Sequence, residues 1–348
     1  MKKNIFGLYD NEVYMMLKEY GVEKFRIKQI FEWIYKRNVR DFHQMINLPL
    51  SMRNILDENF TVELIRIVDQ QTSHDACTTK FLLAYPDAVA VETVLMRHDY
   101  GNSVCISTQV GCNMGCTFCA STLHGMVRNL SAAEILAQVV YVNFLLKADN
   151  QRIDSIVIMG SGEPLNNYDQ VIKFIKLCHE KDILNLSYRN ITLSTSGIVP
   201  NMYKLAEEQL PITLSVSLHA ANNCIRTQLM PINQKYDIEK VISAASNYAN
   251  KTGRRVTYEY ILIENLNDSL NDAKDLVNLL QGKLVSINII PVNPVKERGW
   301  YRPSNNKIME FVKFLSKNNI TTTLRKEMGS DIQAACGQLR NKHLREKG

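Results

Sequence analysis

Apolar positions over residues 1–60 recur at helical spacing. The stretch Phe25 to Tyr35 (FRIKQIFEWIY) sets Phe25, Ile27, Ile30, Phe31, Ile34 and Tyr35 near one face of a helix. The period then shortens. Segments 62–68, 79–84 and 88–95 are alternating or β-branched and separated by turn residues, which predicts a small antiparallel sheet leading on from the helical start. From about residue 104, strand-like segments at 104–108, 155–159, 190–195, 213–218, 256–262, 285–291 and 320–325 alternate with amphipathic stretches such as 132–147, 170–181, 238–251 and 270–280. Ser131-Ala-Ala-Glu134 opens the first of those stretches as a capping box, in which each side chain satisfies the other's backbone donor. This alternation predicts an α/β fold with a parallel sheet and outer helices, and around six units suit a partial (β/α)6 barrel of the TIM type. In that architecture chemistry sits on loops after the C-terminal strand ends. The expected organisation is a small helical domain over 1–60, an antiparallel β extension over 61–97 and a barrel over 98–348.

The 348 residues, 45% hydrophobic and 22% charged, suffice for one large domain with a sizeable core plus a small appendage. No run of eighteen apolar residues occurs, and the N-terminus reaches Asp10 before any apolar stretch could act as a secretory signal. No membrane association is expected, and the expected location is the cytoplasm. A net charge of +6 and a pI near 8.8 permit contact with nucleic acid without requiring it. Cysteine usage changes the picture more. A reducing compartment disfavours a disulfide framework, so clustered cysteines point to metal or redox chemistry. Of Cys77, Cys105, Cys112, Cys116, Cys119, Cys178, Cys224 and Cys336, three fall within eight residues.

That cluster follows the candidate strand 104–108 as Gln-Val-Gly-Cys112-Asn-Met-Gly-Cys116-Thr-Phe-Cys119, a C-x3-C-x2-C spacing on a glycine-containing loop. Thiolates are the usual ligands of iron–sulfur clusters. Four irons held by three cysteines leave one iron open to a small molecule. Zinc is the competing occupant, since His124 could complete a Cys3His set.

With Phe118 before the third cysteine, the loop resembles the motif of the radical S-adenosylmethionine superfamily. In that superfamily the amino and carboxylate groups of S-adenosylmethionine chelate the open iron, and an electron from the cluster splits the molecule to a 5′-deoxyadenosyl radical. Further segments narrow the resemblance: Val91-Glu92-Thr93-Val94, Val104-Cys105-Ile106-Ser107, Met159-Gly-Ser-Gly162-Glu163-Pro164-Leu165, Leu193-Ser194-Thr-Ser-Gly197, Ser217-Leu218-His219, Pro291-Val-Asn293-Pro294 and Ala334-Ala-Cys336-Gly-Gln338-Leu339. Over nearly the whole chain they are similar to the RlmN/Cfr family of RNA methyltransferases. RlmN-type members methylate adenine C2 in 23S ribosomal RNA near the peptidyl transferase centre, and in certain tRNAs next to the anticodon. Cfr-type members methylate C8 of the same ribosomal adenosine and confer antibiotic resistance. Gly-Glu163-Pro164-Leu, Ser194-Thr-Ser and Ile-Pro291-Val-Asn-Pro match the RlmN versions, whereas Cfr has Ala after the Glu and Arg-Tyr before the Asn-Pro. The resemblance therefore implies C2, with C8 as the alternative.

Adenine C2 is an electron-poor carbon with no nucleophilic lone pair, so a radical route is physically reasonable. The resemblance implies a [4Fe–4S] cluster on Cys112, Cys116 and Cys119 and two molecules of S-adenosylmethionine per turnover. It implies that the Cys336 thiolate is first methylated by displacement. Hydrogen is then removed from that methyl, and the carbon radical adds to the base. Cys105 attacks the sulfur of Cys336 and releases product through a transient disulfide. Glu92 matches the proton acceptor at C2. Gly162, Glu163, Ser194, Ser217, Leu218, His219 and Asn293 match S-adenosylmethionine-binding positions at successive strand ends.

Taken alone, each has a plainer reading. Cys105 is a small strand residue, Cys336 part of a tight corner, and Glu92 the exposed side of an alternating strand. Gly162 and Glu163 close a βα turn, and His219 is a satisfied buried histidine. Cys77, Cys178 and Cys224 match no role, and Met15 and Met16 read as helix and core material.

The implied partners are 23S rRNA, tRNA and an electron donor such as flavodoxin or ferredoxin, acting on a monomer. Reaching a base within RNA requires extruding it, at roughly a few kcal/mol. Candidate phosphate contacts are Lys24, Arg26 and Lys28 of the helical start, Arg128, Arg325 and Lys326, and Arg340, Lys342, Arg345 and Lys347 of the tail, although solvated surface charge is the plainer reading of any single one. The rival functions are another radical enzyme, such as a glycyl-radical activase, and a zinc-stabilised RNA-binding protein.

Overall fold

A computed structural model describes residues 2–62 and 65–339, so the tail from Arg340 lies outside the described residues. Strand β1 (Lys3–Asn4) precedes helices α1 (Asp10–Leu17), α2 (Lys24–Phe31) and α3 (Leu50–Asn59), and β2 (Phe60–Thr61) pairs with β1 in parallel. The apolar stripe of α2 is buried through Ile27, Ile30 and Phe31, and a wider π turn over Glu32–Lys36 extends it with Trp33, Ile34 and Tyr35. Phe25 departs from expectation and is 55% exposed. Two residues before Ile27 is the opposite side of a helix with 3.6 residues per turn. Met15 of α1 is likewise exposed.

Strands β3 (Arg66–Thr72), β4 (Thr78–Ala84), β5 (Ala90–His98) and β6 (Gly101–Cys105) form an antiparallel meander. A hairpin of β7 (Gln109–Gly111) and β8 (Met126–Asn129) stands apart. Strands β9 (Ile153–Ile158), β10 (Ile191–Thr195), β11 (Thr213–Ser217), β12 (Val256–Leu262), β13 (Val285–Pro291) and β14 (Thr322–Leu324) then run parallel to β6, in sequence order. The meander is therefore not a separate small sheet; β6 pairs with β9 and makes one ten-stranded sheet. Because β14 and β3 are its two edges, the parallel part curves as an open, partial barrel.

The outer layer is α4 (Ala132–Leu146), α5 (Tyr168–His179), α6 (Val199–Glu207), α7 (Asn223–Leu229), α8 (Ile238–Thr252), α9 (Leu270–Leu280) and α10 (Asn305–Lys317). The capping box forms as expected: Ser131 N–H donates to Glu134 Oε2 at 2.8 Å, and Glu134 N–H donates to Ser131 Oγ at 3.2 Å. Side chains of the helical start and of the barrel pack into one continuous apolar core. Among the described residues no helix is long and apolar enough to cross a membrane.

The expected strand over 104–108 leaves the ladder after Cys105. Gln138, fully buried in α4, accepts from Ser107 N–H at 3.0 Å and donates to Ser107 O at 2.8 Å. With both backbone groups of Ser107 held by a side chain, the chain turns away towards the cysteine loop. The barrel interior also differs from an apolar plug. Thr192, Thr213, Ser215, Thr257, Glu259, Ser286 and Asn288 line a cavity of about 600 Å³ within it.

Replacing Ser131 by Ala removes an N-cap and should lower unfolding free energy by about 1 kcal/mol. Urea unfolding of the two proteins checks this; an unchanged midpoint would show that the cap contributes nothing.

Candidate active site

The three clustered cysteines sit between β7 and β8, on a loop whose ends are closed by Cys112 N–H donating to Gly125 O at 3.1 Å. Gly111 has φ +77°, and a Cβ there would run into the Gly125 carbonyl, so only glycine allows the two arms to meet. Cys112, Cys116 and Cys119 line a second cavity, of about 140 Å³. Burial pushes all three thiols up, Cys112 to about 12. They are neutral as free thiols, so a metal centre must displace their protons on binding. Among the described residues no three Cys, His, Asp or Glu side chains close on one ion-sized point. A cluster that takes each thiolate on a different iron needs no such convergence, and this donor set fits it.

Across the same cavity stand most residues matched to S-adenosylmethionine binding: Gly162, Glu163, Ser194, Ser217 and His219. Gly162 has φ +109°, and a Cβ there would lie 2.7 Å from Gln109 Cβ. Glu163 is buried, and burial raises its carboxyl against the hydrogen bonds that lower it. Its Oε1 accepts from Leu165 N–H at 2.9 Å and Thr195 Oγ at 2.8 Å, and its Oε2 from Ser196 N–H at 2.7 Å. The carboxylate thus ties two strand-end loops together as well as facing the cavity.

His219 adopts left-handed backbone, φ +62°, and its Nδ1 accepts from Ile261 N–H at 3.0 Å. Burial, reinforced by the Arg226 charge, lowers its pKa to about 3, so the ring is neutral at physiological pH. Leu218 is buried and does not line the cavity; its carbonyl accepts from Arg226 Nε at 3.2 Å. Asn293 lines the larger cavity instead and donates to the Cys336 carbonyl at 3.0 Å.

Cys336 arrives from the far end of the chain. Its segment is held on one side by Ala120 N–H donating to Gly337 O at 2.7 Å and Ser121 Oγ donating to Leu339 O at 3.0 Å. On the other side Lys80 of β4, buried, donates to Ile332 O at 2.6 Å and Gln333 O at 3.3 Å. Cys336 lines both cavities and Cys105 lines the larger one. Glu92 is not exposed, as its alternation alone would suggest. It is buried, lines neither cavity, and pairs with Lys80 Nζ at 3.4 Å.

Two candidate phosphate contacts are engaged elsewhere. Arg128 pairs with Asp87 at 2.6 Å and Glu134 at 2.7 Å, which occupies its guanidinium. Arg325 turns into the barrel, where it lines both cavities. Lys24, Lys28 and Lys326 are exposed, while Arg26 is half-buried and donates to Gln29 at 2.9 Å. Sequence reading also missed Lys80, Arg226 and Glu259. Fully buried Arg226 gathers the carbonyls of Ser196, Ser217 and Leu218. A lone charged residue inside an apolar pattern was the only available signal.

Comparison with known proteins bears on the family. Residues 106–280 match the family model of the radical SAM superfamily, and residues 3–62 match that of the ribosomal RNA large subunit methyltransferase N-terminal domain. Probable dual-specificity RNA methyltransferases RlmN from Staphylococcus aureus, strains JH9 and Newman, are each 49% identical over 98% of this chain and 93% of their own length. A radical SAM methyltransferase from Sphaerobacter thermophilus superposes with a TM-score of 0.94 at 39% identity, covering 97% of this chain and 99% of its own. With both regions matched and the similarity running end to end, this chain belongs to the RlmN family of radical S-adenosylmethionine RNA methyltransferases.

Proposed function

We propose that the enzyme methylates C2 of an adenosine in 23S rRNA, near the peptidyl transferase centre, and of an adenosine next to the anticodon in tRNA. The carrying observation is that Cys336 lines both the cavity of the cysteine loop and the larger cavity that holds Cys105. The dual-specificity name of the relatives supports two RNA substrates. Their RlmN type, with the proline after Glu163, favours C2 over C8.

When bound, the [4Fe–4S] cluster and two molecules of S-adenosylmethionine per turnover would supply a methyl group and a radical able to remove hydrogen from it. Cys112, Cys116 and Cys119 would hold the cluster, with Gly162, Glu163, Ser194, Ser217 and His219 around the cofactor; Leu218 and Asn293, which do not line that cavity, would act on it only through their neighbours. Cys336 carries the one-carbon unit as a thioether, its backbone fixed by Asn293. Glu92 lines neither cavity, so as the candidate acceptor of the C2 proton it would receive it by relay, and Lys80 ties it to the segment that bears Cys336; as that proton leaves, the adduct's unpaired electron would return to the cluster and restore a closed-shell ring. Cys105 then attacks the Cys336 sulfur. The S–C bond breaks with its electron pair on carbon, which takes up a proton as the product methyl. The two cysteines are left as a disulfide, which an external reductant must reduce for the next turn, while an electron donor such as flavodoxin or ferredoxin would supply the cluster. The helical start, residues 1–60, with exposed Lys24 and Lys28, is the proposed RNA-holding part of a monomer working in the cytoplasm, with the antiparallel extension 61–97 joining it to the barrel 98–348.

Mass spectrometry of digested RNA tests the regiochemistry: 2-methyladenosine is expected, and 8-methyladenosine alone would overturn C2. Cys105→Ala should accumulate a protein–RNA adduct on denaturing gels; turnover at the native rate would remove the resolving role. Burial, reinforced by Cys336 and opposed by Arg325, pushes the Cys105 thiol up to about 12. The thiolate fraction therefore grows with pH throughout the working range. Adduct decay in single turnover should rise roughly tenfold per pH unit between about pH 7 and 9, and a flat profile would mean that thiol ionisation does not limit resolution.

A further inference from the structure

We propose that Glu259 and Arg325 read the Watson–Crick edge of the target adenine, Glu259 accepting from N6 and Arg325 donating to N1, so that C2 faces Cys336. This rests on the function proposed above and adds the groups that select the base. Six residues line both cavities: Met159, Glu259, Ile290, Arg325, Cys336 and Gly337. A base that reacts at Cys336 must meet this junction, and Glu259 and Arg325 are its charged members.

Glu259 is 4% exposed. Its Oε1 accepts from Ser215 Oγ at 2.7 Å and its Oε2 from Asn288 Nδ2 at 2.8 Å. These two bonds lock the carboxylate's orientation, and a carboxylate has acceptor capacity for about four. Arg325 has five N–H donors in a rigid fork. Its guanidinium touches the poorly accepting sulfur of Met159, at 3.6 Å, and its charge acts on Cys336 and Glu259. Along one edge adenine presents the N6 donor, the N1 acceptor and the reacting C2–H. Acceptor, donor and sulfur are the complementary set.

Guanine reverses the pattern. Its O6 would face the carboxylate, its N1–H the guanidinium, and its own amino group would occupy C2. Leaving buried charged groups unmatched in this way is the strongest available form of discrimination. S-adenosylmethionine also contains an adenine, but Ser215 and Asn288, which orient Glu259, line only the larger cavity and not the one beside the cysteine loop. The RNA base is therefore the assigned ligand.

The test compares RNA carrying adenosine at the target with RNA carrying purine riboside, which keeps N1 and C2–H and lacks N6. The native enzyme should favour adenosine by about 10- to 150-fold in kcat/KM, the worth of one hydrogen bond to a charged group. In Glu259→Gln, which trades the charged acceptor for a neutral amide, the ratio should fall to within about threefold. Should that variant misfold, Glu259→Ala, which removes the acceptor altogether, reports the same ratio. Arg325→Lys against 1-deazaadenosine examines N1 in parallel. An unchanged ratio in the Glu259 variants overturns the proposal, as does a lost affinity for S-adenosylmethionine with the ratio kept, which would give the carboxylate to the cofactor. A native enzyme inactive on adenosine RNA removes the proposed function and this inference together, and differs visibly from an unchanged ratio.

Discussion

The active centre depends on the docking of one irregular segment, 329–339, between the cysteine loop and the antiparallel strands. Irregular backbone exposes donors and acceptors that must be satisfied where it is buried. Here they are met by Asn293 on Cys336, by Ala120 and Ser121 on Gly337 and Leu339, and by Lys80 on Ile332 and Gln333. Each contact comes from a different part of the chain. Without them Cys336 would have no fixed relation to Cys105, to the thiols of the cysteine loop or to Glu92.

A second group of polar side chains, buried at the strand ends, sets the loops around the cofactor cavity. Arg226 draws together the carbonyls after β10 and β11, Asn267 donates to His219 O at 2.8 Å and Ile261 O at 2.7 Å, and Gln138 holds Ser107. Such groups are costly to bury and are strongly destabilising to unpair. They make the loops rigid, which a site that must hold reactive carbon at one sulfur requires. The same burial keeps the thiols protonated and His219 neutral until a metal centre or a reaction partner offsets the cost.

Much of this was legible beforehand. Strand–helix alternation gave the parallel strands in order, because period and turn residues are local properties, and the Ser131–Glu134 box fixed the start of α4. The C-x3-C-x2-C loop and the strand-end motifs could be placed because they are short and sit at predictable ends of βα units. Phe25 lies beside the buried stripe in sequence, and the geometry of the helix turns it outward.

The sequence alone determined which atoms are available: three clustered thiols, Cys105 just before them, Cys336 far along the chain, and a run of strand ends to carry cofactor contacts. Only tertiary structure decided which of them meet. It turned Arg325 inward from a candidate phosphate contact, buried Glu92 against Lys80, merged the meander with the barrel, and set polar side chains among the apolar ones around the barrel cavity. The reason is that burial, charge pairing and the direction of a side chain depend on neighbours far along the chain, which no local pattern encodes.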